Sequence, residues 1–493
     1  MAGTKMGTAA GRWILLATVL GSGIVMVDGT VVNVALPHIA ADLGAGFSSL
    51  QWIVNAYTLT LASLILLGGS LGDHFGRRRV FLIGVIWFAL ASAACGLAPT
   101  TEFLVVARAL QGVGGALLTP GSLALISASF DREDRAAAIG AWSGLGGIAG
   151  AIGPFLGGFL VEWNWRAVFL VNLPLAAVVV AVTVLRVPES RDPSSPKGLD
   201  LSGAALTVVG LGALTHGLTA LGAAGATPAA LASIVAGLFA LVAFVVVERC
   251  SRHPLVSPKL FADRVFSVAN AMTLLIYGAL GAVFLLLVLQ LQIVAGFSPL
   301  AAGTSLLPFT AVMLMFSARA GALAGRIGPR VPMTVGPLIA AVGLLLMTRI
   351  GPDASWVLDV APAALVFGAG MVLIVAPLTA TVLDSAPENM AGSASGVNNA
   401  LARAGGLLAV AVLPGLAGIS GADYADPSAF SDGFRVAVLI SSGLMVAAAA
   451  LALVGIRRGS ARPHDERIAV ENCTHCALAA PPAHPSTESR YRG

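Results

Sequence analysis

Long apolar runs alternate along the chain with short breaks that hold charge, proline or glycine. A helix crossing a bilayer needs about 20 mostly apolar residues. Runs of this kind lie near 13–36, 50–70, 80–98, 102–128, 137–160, 167–186, 201–222, 229–247, 266–293, 300–320, 332–350, 357–381, 392–417 and 433–456. The pattern predicts an all-α polytopic membrane protein with about fourteen transmembrane helices. The first run has no small-residue cleavage site and carries an acid at its centre, so it reads as a span rather than a signal peptide. After residue 457 the pattern stops, and a polar tail rich in Ala, Pro and Ser is expected to be disordered.

Composition points to the same class: 57% of the 493 residues are hydrophobic and 11% charged, a balance foreign to soluble domains. The basic residues then orient the spans. All but five of the 28 Lys and Arg fall on one side, among them Lys5, Arg12, Arg77, Arg78, Arg79, Arg132, Arg135, Arg319, Arg326 and Arg330. Arg166, Arg349 and Arg435 lie on the other side, and Arg108 and Arg403 lie within spans. Positive loops stay inside, so both termini are expected in the cytoplasm, with the protein in the cytoplasmic membrane. Trp52, Trp163, Trp165 and Trp356 at outer boundaries, and Trp13 at an inner one, fit an interfacial belt. The net charge of +4 is this topological bias and not a nucleic-acid footprint.

Setting aside the two spans between the loops at 187–200 and 248–264 leaves six spans on either side. The expected organisation is an N-terminal segment 1–12, a six-helix bundle 13–186, loops and two extra helices 187–264, a second six-helix bundle 265–456, and the tail 457–493. The halves echo each other. Gly69–Arg78, GSLGDHFGRR, aligns with Gly321–Arg330, GALAGRIGPR, and Gly112-Val-Gly114 has a counterpart in Gly368-Ala-Gly370. Such internal repeats suit two bundles that rock about a central site. The second copy lacks the charges: Gly325 stands for Asp73 and Ala364 for Arg108.

Asp28 interrupts the apolar stretch IVMVDGTVVNVALP. A carboxylate at mid-membrane costs roughly 2.5–3.5 kcal/mol on insertion scales, so it needs a partner, water or a proton. Its helical face includes Gly21, Ile24, Val25, Val32 and Ala35, which suits a bundle interior; Asn33 lies about 140° away. Arg108 is the expected partner. With the first span ending near Leu36 and the fourth starting near Glu102, the two charges lie about 12 and about 9 Å from the outer surface. The plain alternative is an ion pair that only glues two helices. Arg108 heads a stripe of Gln111, Gly112, Gly115 and Thr119. In the fifth span Gly146, Gly150, Gly153 and Gly157 share a face that admits another backbone, and Pro154 frees the Gly150 carbonyl and invites a bend. Asp73 is expected at a helix N-terminus, beside arginines that anchor to the inner leaflet, as a latch on that side. Gly392, Gly396, Asn399, Arg403 and Gly406 form a polar and small stripe on the thirteenth span, and Arg403 has no evident acidic partner. Gln290, Gln292 and His216 read more simply as helix–helix hydrogen-bonding groups.

No nucleotide-binding loop is present, so ATP is not expected to power transport within this chain. The tail motif Cys473-Thr-His-Cys476, with His464, His475 and His484 nearby, has metal-ligand chemistry but no second CxxC, and reduced thiols in a polar tail are the simpler reading. No cofactor and no resident metal are expected. An intramembrane enzyme would need a catalytic pair or metal cluster within the spans, and a membrane sensor or scaffold would call for a folded soluble domain; neither is visible.

These motifs together resemble the major facilitator superfamily, and within it the fourteen-span drug:proton antiporters. VDGTVVNVALP is similar to the family's first-span motif, GSLGDHFGRRR to the loop motif after the second span, RALQGVGGA to the fourth-span motif implicated in proton transfer, and AGAIGPFLGG to the span-five antiporter motif. NWRAVFLVNLP, KGLDLSG, HPLVSPKLF and GFSPLAAGTSLLP resemble further landmarks; Ala149 departs from the glycine that usually opens the antiporter motif. The resemblance covers residues from about 12 to 456. It implies two six-helix bundles with two intervening spans, alternating access, and export of small lipophilic, often cationic compounds against proton entry by a monomer in the lipid bilayer. Asp28 and Arg108 are then the candidates for proton coupling. Asn33, Gln111, Gly112, Gly115, Gln290, Asn399 and Arg403 are the candidates for the cargo path. Gly69, Asp73, Gly76 and Arg77 would form the cytoplasmic gate, and Gly150, Gly153, Pro154, Gly157 and Gly158 the span-five hinge. Export of one particular native lipid, siderophore or antibiotic by the same fold is the main alternative.

Overall fold

The computed structural model describes residues 4–191, 198–251, 254–387, 390–419, 421 and 426–456. Lys197, Arg252, His253 and the tail cysteines and histidines lie outside the described residues. Among those described, fourteen helices are long and apolar enough to cross a membrane. They are α1 (Ala9–Leu43), α2 (Phe47–Phe75), α3 (Arg77–Gly96), α4 (Thr101–Ser129), α5 (Ala137–Trp163), α6 (Ala167–Arg186) and α7 (Leu201–Ala224). The second set is α8 (Pro228–Cys250), α9 (Arg264–Val294), α10 (Pro299–Ile327), α11 (Arg330–Met347), α12 (Trp356–Asp384), α13 (Ala391–Leu416) and α14 (Pro427–Gly455). The even number of crossings brings Ala9 and Gly455 to one side of the stack, here the terminal side; the opposite end is the far side.

Helices α1–α6 pack among themselves, α9–α14 do the same, and α7 pairs with α8. Small residues explain why the two groups pack alike. Gly112 abuts the Tyr57 carbonyl and Thr60 on α2, and its counterpart Gly368 abuts Phe309 on α10. Gly114 lies against the Phe88 backbone of α3, and Gly370 against the Ala340 backbone of α11. A Cβ at any of the four would meet backbone or side-chain atoms of the neighbouring helix. The loop echo is also built into the backbone: Gly76 between α2 and α3 has φ 111°, and Gly328 between α10 and α11 has φ 82°. Both are left-handed values that glycine adopts without a Cβ penalty.

The two bundles touch along two seams. On one, α5 meets α10 at the far side, where Gly158 packs on the Pro299–Leu300 backbone and Gly303 on the Pro154 carbonyl. Toward the terminal side, Gly140, Gly144 and Gly147 of α5 and Gly325 of α10 face open space. On the other seam α2 follows α13, from the Gln51 side-chain amide donating to the Val410 carbonyl (2.7 Å) to Leu66 against Gly396. Helix α7 lies over this second seam. Leu59 of α2, Leu211 of α7 and Leu407 of α13 form one buried cluster, and Gly222 of α7 and Gly415 of α13 approach within backbone contact.

Four expectations need correction. The first span reaches Leu43 rather than ending near residue 36, because α1 continues through Pro37 for 35 residues in all. Likewise α10 extends to Ile327, beyond 320. Pro37, His38 and Asp42 past the first run, and Gly321, Gly325 and Arg326 past the tenth, hid the extra turns. Asp73 lies in the last turn of α2, not at a helix N-terminus, since the helix breaks only at Gly76. The helix dipole disfavours a carboxylate there, and Arg77 across the break offsets it at 2.7 Å. Trp165 is 5% exposed and donates to Asp42 (2.9 Å), so it belongs to the interior and not to a lipid-facing belt.

Candidate transport site

Asp28 of α1 and Arg108 of α4 meet as an ion pair of 2.5 Å, with relative exposures of 0% and 1%. The depth argument brings them together even though α1 is longer than expected. Each carboxylate oxygen is occupied. Oδ2 accepts from Arg108 Nη1, and Oδ1 accepts from Gln111 Nε2 (2.8 Å) and Asn172 Nδ2 (3.0 Å). Arg108 Nη1 also donates to Gln111 Oε1 (2.6 Å), and Nε donates to the Ile53 carbonyl (3.2 Å). Its guanidinium lies 4.1 Å from the Tyr57 ring centroid, a cation–π contact. Ser92 accepts from both Gln111 and Asn172 and donates to the Phe169 carbonyl at 2.8 Å. A buried charge pair is tolerable only when further hydrogen bonds of this kind share the load. Beside this sealed cluster, Gly29 faces open space.

Local sequence explains the placement. Gln111 follows Arg108 by one helical turn, so both side chains reach the same acid. Asn172 arrives through a break in α6, which divides at Val171 into Ala167–Leu170 and Asn172–Arg186. Pro174 withholds a donor from the preceding turn and loosens it there.

The remaining candidates divide by environment. Gly112 is sealed against α2 and does not face an opening; Gly115 is packed more loosely, against Leu61, Tyr57 and Val25. Gln290 is fully buried in a π-helical turn and donates to the Ile350 carbonyl (2.8 Å) and Ser431 (3.1 Å), tying helices of its own bundle. Its neighbour Gln292 crosses between bundles to the Val34 carbonyl at 3.0 Å. Asn33 is partly exposed and Asn399 exposed. Arg403, at the middle of α13, is partly exposed; its Nε is shielded from solvent and finds no acceptor. It lies within electrostatic reach of Tyr57 from the first bundle and Tyr277 from the second.

On the terminal side Gly69 packs near Pro120, and Gly76 leaves room for Glu189. That carboxylate accepts from the Arg78 backbone N–H (3.1 Å), and the Arg77 N–H donates to the Ser190 carbonyl (2.9 Å). These contacts of the Asp73–Arg77 loop stay within the first half of the chain. In α5, Gly150, Gly153 and Gly157 face Met26, Thr30 and Val31 of α1, whereas Gly158 faces α10. Thr30 Oγ1 reaches the Gly150 carbonyl at 3.3 Å, the group that Pro154 leaves without its helical donor.

Fourteen long apolar helices among the described residues, the glycine-paired bundles and the ion pair buried inside the first of them describe a membrane protein, and a family profile decides which. The profile of the Major Facilitator Superfamily matches residues 18–410. The chain belongs to the Major Facilitator Superfamily. Like other members it is a transporter, and a multi-pass membrane protein. It is 37% identical over 402 residues to the multidrug resistance protein Stp of Mycobacterium tuberculosis (strain CDC 1551 / Oshkosh), covering 81% of this chain and 74% of that protein. It is 35% identical to the puromycin resistance protein pur8 of Streptomyces alboniger, covering 90% and 91%. Among solved structures, a bacterial homologue of the human lysosomal transporter Spinster, inward-facing and unoccupied, superposes with a TM-score of 0.63 at 18% identity, covering 91% and 97%.

For this transporter, sequence reasoning missed Asn172, Ser92, Tyr57 and Glu189. A lone amide in the apolar run 167–186 was the available signal for Asn172; serine and tyrosine in spans are too common to give one.

Proposed function

We propose that the protein is a proton-coupled exporter of small lipophilic compounds, working by alternating access with both termini in the cytoplasm. The observation that carries this reading is the sealed Asp28–Arg108 pair with Gln111 bridging both members. Protonation would remove the charge on Asp28 and with it the reason for Arg108 to stay. Gln111 Oε1 would still accept from the same Arg108 nitrogen, so the arginine would remain partly satisfied while the acid changes state. Proton and cargo then compete through the position of one guanidinium. The membrane potential would add about 2.3 kcal/mol per charge per 100 mV to inward proton movement.

The seam geometry supports a resting state open on the terminal side, with α5 and α10 in backbone contact at the far side and Gly140, Gly144, Gly147 and Gly325 facing open space toward the other. The loop Asp73–Arg77, bonded within its own half, is a disengaged gate in this state. The relatives' names support export of antimicrobial compounds: one is named for multidrug resistance and one for resistance to puromycin. The second name also favours a narrower reading, a transporter dedicated to one compound.

In everted vesicles, Asp28→Asn is expected to insert normally yet lose dye efflux and the accompanying dissipation of a proton gradient, down to the level of empty vesicles. Wild-type efflux coupled to proton movement in that variant would overturn the reading.

A further inference from the structure

The charges of the membrane interior do not balance. Asp28 and Arg108 neutralise each other and are closed off by Gln111, Asn172 and Ser92. Arg403 remains. Among the described residues no carboxylate lies in ion-pair range of it and no acceptor meets its nitrogens, although its Nε is shut away from solvent. An arginine at the centre of a spanning helix without a counterion is costly, and such residues mark ion or substrate pathways. Its position fits the second role. Arg403 lies two turns after Gly396 on the same face of α13, the face that packs against Leu66 of α2 in the other bundle, and exposed Asn399 lies one turn away on the same helix. The Tyr57 hydroxyl is already turned to the Val25 carbonyl (3.3 Å), so it leaves the guanidinium free for an incoming acceptor.

We propose that Arg403 is a cargo-binding residue that selects amphipathic organic anions, holding a carboxylate or an acidic phenolate on its unpartnered guanidinium. Guanidinium presents a planar fork of donors that matches a carboxylate, and the neighbouring Asn399 amide adds a neutral hydrogen-bonding group one turn away. A cationic cargo would meet a positive charge at this point with no acid to offset it. The proposal rests on the export reading for the route by which cargo reaches the site, but binding itself needs no proton gradient.

The test uses the full chain in detergent and three probes that share one body: 4-(1-pyrene)butyrate, its neutral amide, and 4-(1-pyrene)butylamine. Fluorescence titration is expected to give the carboxylate about tenfold or more tighter binding than the amide, the scale of a charge-assisted hydrogen bond, with the amine weakest. Arg403→Gln is expected to abolish the preference while leaving amide binding unchanged, and Arg403→Lys to restore part of it. A preference for the amine, no binding of any probe, or an equal loss for all three in Arg403→Gln would overturn the proposal. Should Arg403→Gln fail to fold, a preference weakened but not lost in Arg403→Lys would support it, and an unchanged preference there would overturn it. Anion selectivity that depends on Arg403 without proton-linked transport in vesicles would overturn the coupling reading and leave this one standing.

Discussion

Removing Arg108 strips Asp28 Oδ2 of its charged donor and leaves a carboxylate stranded at 0% exposure. The loss of one partner from a buried pair costs about 3–5 kcal/mol, because the survivor keeps its desolvation penalty. Arg108→Ala is therefore expected to be among the least stable variants in thermal unfolding. The double variant Asp28→Asn with Arg108→Gln should recover much of that loss, since neither remaining group is charged; strictly additive effects would argue against a coupled pair. The sequence made this pair legible because both charges interrupt apolar runs and helix rise converts position into depth. Asn172 and Ser92 stayed hidden, as neutral groups cost little in a span and so leave no anomaly to notice. Arg403 was visible as a charge, but its lack of a partner is a matter of three-dimensional neighbours, which no spacing along the chain records.

Helix α5 is a two-sided element whose glycines serve different neighbours. Gly153 meets Thr30 of α1 where its Cβ would be, while Gly144, nine residues earlier on the same helix, faces open space. Gly153→Val should cost about 1–3 kcal/mol through overpacking and should part α1 from α5, breaking the Thr30 bond to the Gly150 carbonyl. Gly144→Val should be near neutral in the same thermal assay. Equal effects would mean that the close approach is not what sets the helix position. The 3.6-residue period displayed the glycine face in the sequence, but not which helix it serves. The loop after α2 illustrates the converse: the turn at Gly76 could be read, yet the helix persisted past Asp73, so the acid occupies the opposite type of helix end from the one expected.

At the scale of the whole molecule the far side is closed by Gln51 to the Val410 carbonyl, Gln292 to the Val34 carbonyl, and Gly158 against Leu300. In a background with Cys95, Cys250, Cys473 and Cys476 replaced, single cysteines at 144 and 325 should label rapidly with a membrane-impermeant maleimide added from the terminal side of empty vesicles. A cysteine at 303, packed on the Pro154 carbonyl, should stay unlabelled until the bundles move. Rapid labelling at 303 with none at 144 and 325 would indicate the opposite resting state. The bundle arrangement was legible because paired glycines recur at matching offsets in both halves. The seam contacts were not, as they join residues hundreds of positions apart through side-chain amides and bare backbone.

The placement of α7 gives the two seams unequal freedom. Through Leu211 and Gly222 it is riveted to both bundles at once along α2 and α13, so that flank acts as the spine of a book. The pages can then part chiefly along the margin between α5 and α10, where Gly158 on Leu300 and Gly303 on Pro154 clasp the far end while Gly144 and Gly325 face open space toward the other.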